Sequence, residues 1–118
     1  MKLNYEELTT IEEWNEVLRH SDKEPVLLLK HSTACPISGA AYGEFTVYAR
    51  KPKRKLSCVM VKVIESRSVS NQMTADLGTK HESPQIFLIH RREVLWHASH
   101  WTITYERIEQ EVNSRLRA

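Results

Sequence analysis

The stretch "VLLLKHSTACPISGAAYGEF", residues 26–45, holds the join on which the fold turns. "VLLLKHS" is a short apolar run of strand length, the signature of a strand buried on both faces. Pro36 suits the first turn of a helix, because its missing N–H has no partner to lose there. That helix is expected to pass through Ala40, Tyr42 and Phe45 and to end at Tyr48 or Ala49. Cys35 falls between the two elements, at or just before the start of the helix.

The pattern extends in both directions. Upstream, Leu8, Ile11, Trp14 and Leu18 recur with helical spacing; Thr9 or Thr10 is placed to cap that helix, with Glu12 or Glu13 as its capping-box partner. Ser21 to Pro25 breaks it. Downstream, "CVMVKVIES" alternates as a strand does, with Val59, Val61 and Val63 on one face and Cys58, Met60 and Ile64 on the other. "SVSNQMTADLG" reads as a helix with Ser68 or Ser70 as cap and Gly78 as its stop. "KHESP" is a loop ending on Pro84. "IFLIH" and "VLWHAS" are strands joined by a tight turn at Arg91-Arg92-Glu93, and Tyr105, Ile108, Val112 and Leu116 mark one face of a closing helix.

A β-α-β unit followed by a hairpin and a helix predicts a mixed four-stranded sheet with helices on both faces. This is thioredoxin-like topology, an α/β fold with its reactive position after the first core strand and a proline before the third. The whole chain, 1–118, reads as one such domain.

Composition narrows the function. A net charge of +2 is too small to imply a nucleic-acid partner. The basic run Arg50 to Lys55, "RKPKRK", lacks the aromatic interleaving of a nucleic-acid surface and reads as a solvated loop. No apolar run is long enough for a membrane span, and acidic residues fill "MKLNYEELTTIEEW" where a signal peptide has its apolar core. The expectation is a cytoplasmic protein without membrane or nucleic-acid partners. Its two cysteines form no C-x-x-C pair, and such a compartment keeps thiols reduced. Among the six histidines, neither His97 with His100 nor His31 with Cys35 has dependable ligand spacing, so no metal is expected.

Cys35 carries the chemistry. At a helix start, unpaired N–H groups and the helix dipole favour a thiolate. Hydrogen bonds to sulfur are expected from the N–H groups of Ile37 and Ser38 and from the Ser38 hydroxyl, while Lys30 and His31 add positive field and, with Ser83 and Pro84, are expected to line the substrate groove. Ser38 also limits the reaction. A second thiol at that position would resolve a mixed disulfide, and a hydroxyl cannot. The site therefore reads as a monothiol exchanger whose cycle waits on an outside thiol. Cys58 alternates with core valines and reads as a packed, inert thiol, with resolving or redox sensing as the alternative. In this topology Pro84 is expected to be cis beside the cysteine, with the Ser83 backbone free to pair an extended substrate. Trp96 and Trp101 read as core or groove wall.

"KHSTACPIS", "IESRSVSNQMTADLGTKHESPQIFLI" and "WHASHWTIT" together resemble the monothiol bacilliredoxin family of the bacillithiol system. The resemblance spans nearly the whole chain. It implies a thioredoxin-like fold and a C-P-I-S site, with Cys35 as nucleophile, Pro36 to Ser38 as its setting and Pro84 as the cis proline. It implies removal of bacillithiol from protein mixed disulfides, with no bound cofactor and with bacillithiol as co-substrate. Partners would be bacillithiolated client proteins, a low-molecular-weight thiol and a flavin-dependent disulfide reductase. Ala34 stands where the family commonly has threonine, Ser68 where it has proline, and Thr102 where it has an acidic helix cap; the turn "HRRE" lacks the usual glycine. Two alternatives remain: a monothiol-glutaredoxin-like domain holding an iron–sulfur cluster with an external thiol, and a non-catalytic thioredoxin-fold adaptor.

Overall fold

Residues 4–116 are described by a computed structural model, and its central strand, β2, is Val26–His31. All six residues of β2 are buried, as an apolar run flanked on both edges and covered on both faces must be. The flanking strands are β3 (Ser57–Lys62), parallel to it, and β4 (Gln85–His90), antiparallel. β5 (Glu93–Ser99) extends the sheet beyond β4, and β1 (Glu6–Glu7) pairs in parallel with β3 at the other edge. The order is thus β1-β3-β2-β4-β5, five strands where the sequence predicts four. A two-residue edge strand shows no alternation to read, which is why β1 escapes the pattern.

Four helices cover the sheet: α1 (Ile11–His20), α2 (Pro36–Arg50), α3 (Arg67–Leu77) and α4 (Tyr105–Arg115). The pleat sends Leu27 and Leu29 of β2 into a cluster with Phe45, Tyr48, Ile108 and Val112 of α2 and α4. Val26 and Leu28 point the other way, to Trp14, Val17, Val69 and Met73 of α1 and α3.

Local signals explain the boundaries. Thr10 and Glu13 form a reciprocal capping box at α1, so Leu8 lies outside the helix, buried, with its N–H on the Met60 carbonyl at 2.8 Å. α3 starts at Arg67 after Ser66, earlier than its serines suggest, and ends on Gly78 at φ 66°, where a Cβ would be strained. Thr104, rather than Thr102, caps α4 by accepting the Arg107 N–H at 3.1 Å. Thr102 sits in a single 3-10 turn, His100–Thr102, that bridges β5 to Ile103 and α4. No helix among the described residues is long and apolar enough to cross a membrane.

Candidate functional site

The strand registers gather one end of the sheet. β2 runs toward Cys35, β3 ends level with it at Lys62, and β4 starts with Gln85 opposite Lys30. Ser99, the last residue of β5, faces Gln85. The Ser32–Cys35 loop, the β3–α3 turn, the Ser83–Pro84 segment and the 3-10 turn therefore border one another.

Cys35 is the N-cap of α2, half-buried, at φ −118° and ψ 123°. Its carbonyl accepts from Gly39 N–H at 3.0 Å and its N–H donates to Ser32 at 3.3 Å, so the backbone around the sulfur is held from both sides. Pro36 opens the helix. The thiol itself makes no capping bond, in contrast to the expected bonds from the Ile37 and Ser38 N–H groups.

Ser38 is also engaged differently from the sequence expectation. Its buried hydroxyl oxygen accepts from Ser32 N–H at 2.8 Å and lies 2.8 Å from Nδ1 of His31. It binds the loop ahead of the cysteine rather than the sulfur. His31, 8% exposed, stacks on Tyr42 of α2 with ring centroids 4.8 Å apart and planes 17° apart. Burial, aided by the Lys62 charge, holds its pKa below the ordinary histidine value, so the ring is neutral at pH 7. A neutral ring lets the Ser38 hydroxyl donate to Nδ1 while accepting from Ser32. Tyr42 in turn hydrogen-bonds the Tyr5 hydroxyl. On the outer side of the loop, Thr33 donates to Glu65 at 2.8 Å, tying the loop to the β3–α3 turn.

The neutral His31 lends Cys35 no positive field, and Lys30 is not in the groove where it is predicted to act. Successive residues of a strand face opposite ways, so Lys30 points under α3 while His31 points under α2. Its side chain is wholly buried, and burial pushes its pKa down to about 8. The ammonium contacts Ser70 O, Thr74 Oγ1 and His81 Nδ1.

The Ser83–Pro84 peptide bond is cis. The Ser83 hydroxyl is buried and has no hydrogen-bond partner among the described residues. Pro84 carbonyl accepts from His100 N–H at 3.1 Å, and His100, at φ 58°, lies 3.7 Å from Glu82. The same turn packs on α2 and leaves Trp101 68% exposed, whereas Trp96 is buried in the core. Ile64, in the β3–α3 turn, is 48% exposed on the opposite flank. Apolar side chains thus stand on both sides of the cysteine's end of the sheet.

Cys58 is placed far from this end. It pairs with Leu27, and His31 lies four residues further along β2, about 13 Å at the usual strand rise. A disulfide needs Cα atoms within about 7 Å, so Cys35 and Cys58 do not bridge in this fold. Burial raises the Cys58 thiol pKa to about 12. Among the described residues no three His, Cys, Asp or Glu side chains converge as metal ligands do. His97 lies near the Phe87 ring and His100 near Glu82.

The sequence reading did not foresee the Ser38–His31 bond, the His31–Tyr42 stack or the Lys30–His81 contact. One signal was available: Lys30 and His31 are consecutive polar residues in a strand otherwise read as buried on both faces, and each therefore needs an interior partner.

The family model "Monothiol bacilliredoxin BrxC" matches residues 6–108, and the chain belongs to the monothiol bacilliredoxin family. A solved thioredoxin-fold structure provisionally described as an oxidoreductase is similar over 91% of this chain and 92% of its own, with 28% identity and a TM-score of 0.79. Thioredoxin from Fasciola hepatica superposes with a TM-score of 0.74 at 9% identity, covering 93% of this chain and 98% of its own. A thioredoxin point mutant from Halobacterium salinarum gives 0.75 at 12% identity, over 100% and 96%. These two show the fold alone. Family and fold together support a thiol-redox function.

Proposed function

We propose that the protein is a thiol-disulfide oxidoreductase that removes bacillithiol from protein mixed disulfides through Cys35, acting in the cytoplasm. The observation that carries this reading is a half-exposed cysteine at the N-cap of α2 whose fourth-position partner is a serine already committed to His31 and Ser32. In the first step the Cys35 thiolate attacks the bacillithiol sulfur. The protein–bacillithiol S–S bond breaks, the client leaves as a thiolate, and a Cys35–bacillithiol disulfide forms. Since Ser38 has no thiol and Cys58 is out of reach, a second bacillithiol thiolate attacks that adduct. Cys35 is released and bacillithiol disulfide departs, carrying the oxidising equivalent to a flavin-dependent reductase. No bound metal or cofactor takes part.

The surroundings suit an extended client. Trp101 and Ile64 offer apolar area on the two flanks. The direct test is mixed-disulfide exchange with Cys35→Ser. Loss of de-bacillithiolation, with a Cys35–bacillithiol adduct visible by intact mass in the wild type, is the expected result. Unchanged activity in the variant would overturn the assignment.

A further inference from the structure

The segment Lys80–Pro84 is fastened to the body of the protein at several points. The buried Gln85 accepts from Glu82 N–H at 3.2 Å and donates to the Lys80 carbonyl at 3.1 Å, which sets the shape of the loop. The Pro84 carbonyl is held by His100. The remaining fastening comes from below. Lys30 Nζ lies 2.9 Å from Thr74 Oγ1, 3.2 Å from Ser70 O and 3.3 Å from His81 Nδ1. An ammonium has three hydrogens, and these are three acceptors. Two belong to α3, and the third is the loop.

None of the three is a carboxylate, so among the described residues the buried charge has no counter-ion and lies beside the Phe87 ring at 5.9 Å. Such an arrangement is costly as a device for stability alone. We propose that Lys30 is a positioning residue for disulfide exchange: through His81 it docks the Ser83–Pro84 segment against β2 and α3, and so sets where a substrate chain lies relative to Cys35. The inference rests on the exchange reading above.

The latch has a defined working range. His81 accepts at Nδ1 only while neutral, and its pKa is held low by partial burial, by Lys30 and by Arg67, against the opposing pull of Glu82. Lys30 offers its third hydrogen only while protonated. Asp76, also on α3, accepts instead from the Trp14 indole and Gln72. Raising the pH through the Lys30 pKa leaves an amine with two hydrogens, and the contact to His81 is the longest of the three.

The test compares wild type, Lys30→Met, His81→Ala, His81→Gln and the Lys30→Met/His81→Ala double variant. Two rates are measured on each: alkylation of Cys35 by iodoacetamide, which needs no groove, and exchange with a synthetic peptide whose single cysteine is disulfide-linked to bacillithiol. Alkylation is expected to stay within about twofold of wild type throughout. Exchange is expected to fall about tenfold in Lys30→Met and in His81→Ala, with no further fall in the double variant, because both remove one contact. His81→Gln keeps an acceptor and recovers part of the loss. In the wild type the exchange-to-alkylation ratio declines as pH rises through about 8, and in Lys30→Met it is flat. A wild-type ratio in Lys30→Met, or losses that multiply in the double variant, would overturn the proposal. Amide hydrogen exchange across residues 80–83, expected to quicken in Lys30→Met, is read in parallel. A wild type that alkylates but exchanges with no mixed disulfide defeats the exchange reading. In that case unchanged protection of the loop in Lys30→Met would defeat the latch as well, and quickened exchange would support it.

Discussion

The Ser38 hydroxyl lies 2.8 Å from both Ser32 N and His31 Nδ1, which makes it the knot that closes the Ser32–Cys35 loop onto α2. In a dithiol site this position belongs to the resolving sulfur; here it is a structural hydroxyl. Ser38→Ala leaves the Ser32 N–H and the His31 ring short of a buried partner. It is expected to cost about 1–3 kcal/mol in urea unfolding. The same knot weakens in acid. Because the folded state holds the His31 pKa below that of the unfolded chain, stability from this group is complete above the unfolded value and is lost as pH falls through about 6.5 and below. A denaturation midpoint indifferent to Ser38→Ala would contradict this account.

Thiol counting should find one reactive cysteine. Cys58 is 8% exposed, with its pKa raised to about 12, and so presents neither access nor thiolate near neutrality. Native protein treated with iodoacetamide at pH 8 is expected to gain one adduct, located at Cys35 by peptide mapping. In denaturant it should gain two.

The buried Lys30 makes a prediction about stability against pH. Its pKa falls from an ordinary 10.5 to about 8 on folding, a difference worth roughly 3 kcal/mol. The unfolded chain keeps this proton between those values while the folded one releases it. The penalty is therefore full below pH 8 and is relieved as pH rises toward 10.5. Lys30→Met, similar in volume, should be more stable than wild type at pH 7, and the gap should narrow by pH 10. A gap of constant size, measured by urea unfolding at both pH values, would show that folding leaves the Lys30 pKa unshifted.

At the opposite end of the sheet, the β4–β5 hairpin turns through Arg91 and Arg92 at φ 54° and 67°, left-handed values that favour asparagine and glycine. Ser21 stabilises the turn, its carbonyl taking Arg91 N–H at 2.7 Å and its hydroxyl taking Arg92 N–H at 3.0 Å. Arg92→Gly keeps both bonds and removes the steric cost. It is expected to raise stability by about 0.5–1 kcal/mol, read as a higher thermal midpoint, without altering reactivity at Cys35.

Much of this architecture was legible in the chain. The alternation of Val59, Val61 and Val63, the apolar run ahead of Cys35 and Gly78 after α3 each state a local rule that the fold obeys. β1 was not legible, since two residues carry no period. Thr102 was read as the cap of the closing helix in place of Thr104, because the 3-10 turn His100–Thr102 delays the start of α4. At the site, Cys35 and Pro36 were readable from the helix start. The direction of the Ser38 hydroxyl was not, since it depends on His31 being brought under α2 by the strand's pleat. Lys30 was misplaced for the same reason: its sequence distance from Cys35 is short, yet the pleat turns it to the other layer.

The separation of Cys58 from Cys35 along the sheet also bears on how the protein would meet peroxide. A Cys35 sulfur oxidised to the sulfenic acid has no thiol of its own chain to condense with. It either meets a small thiol from solution, losing water to form a reducible adduct, or takes up more oxidant and passes to the irreversible sulfinic acid. Survival through an oxidative burst is then a race between two diffusing reagents, and the concentration of free thiol around the protein decides the winner.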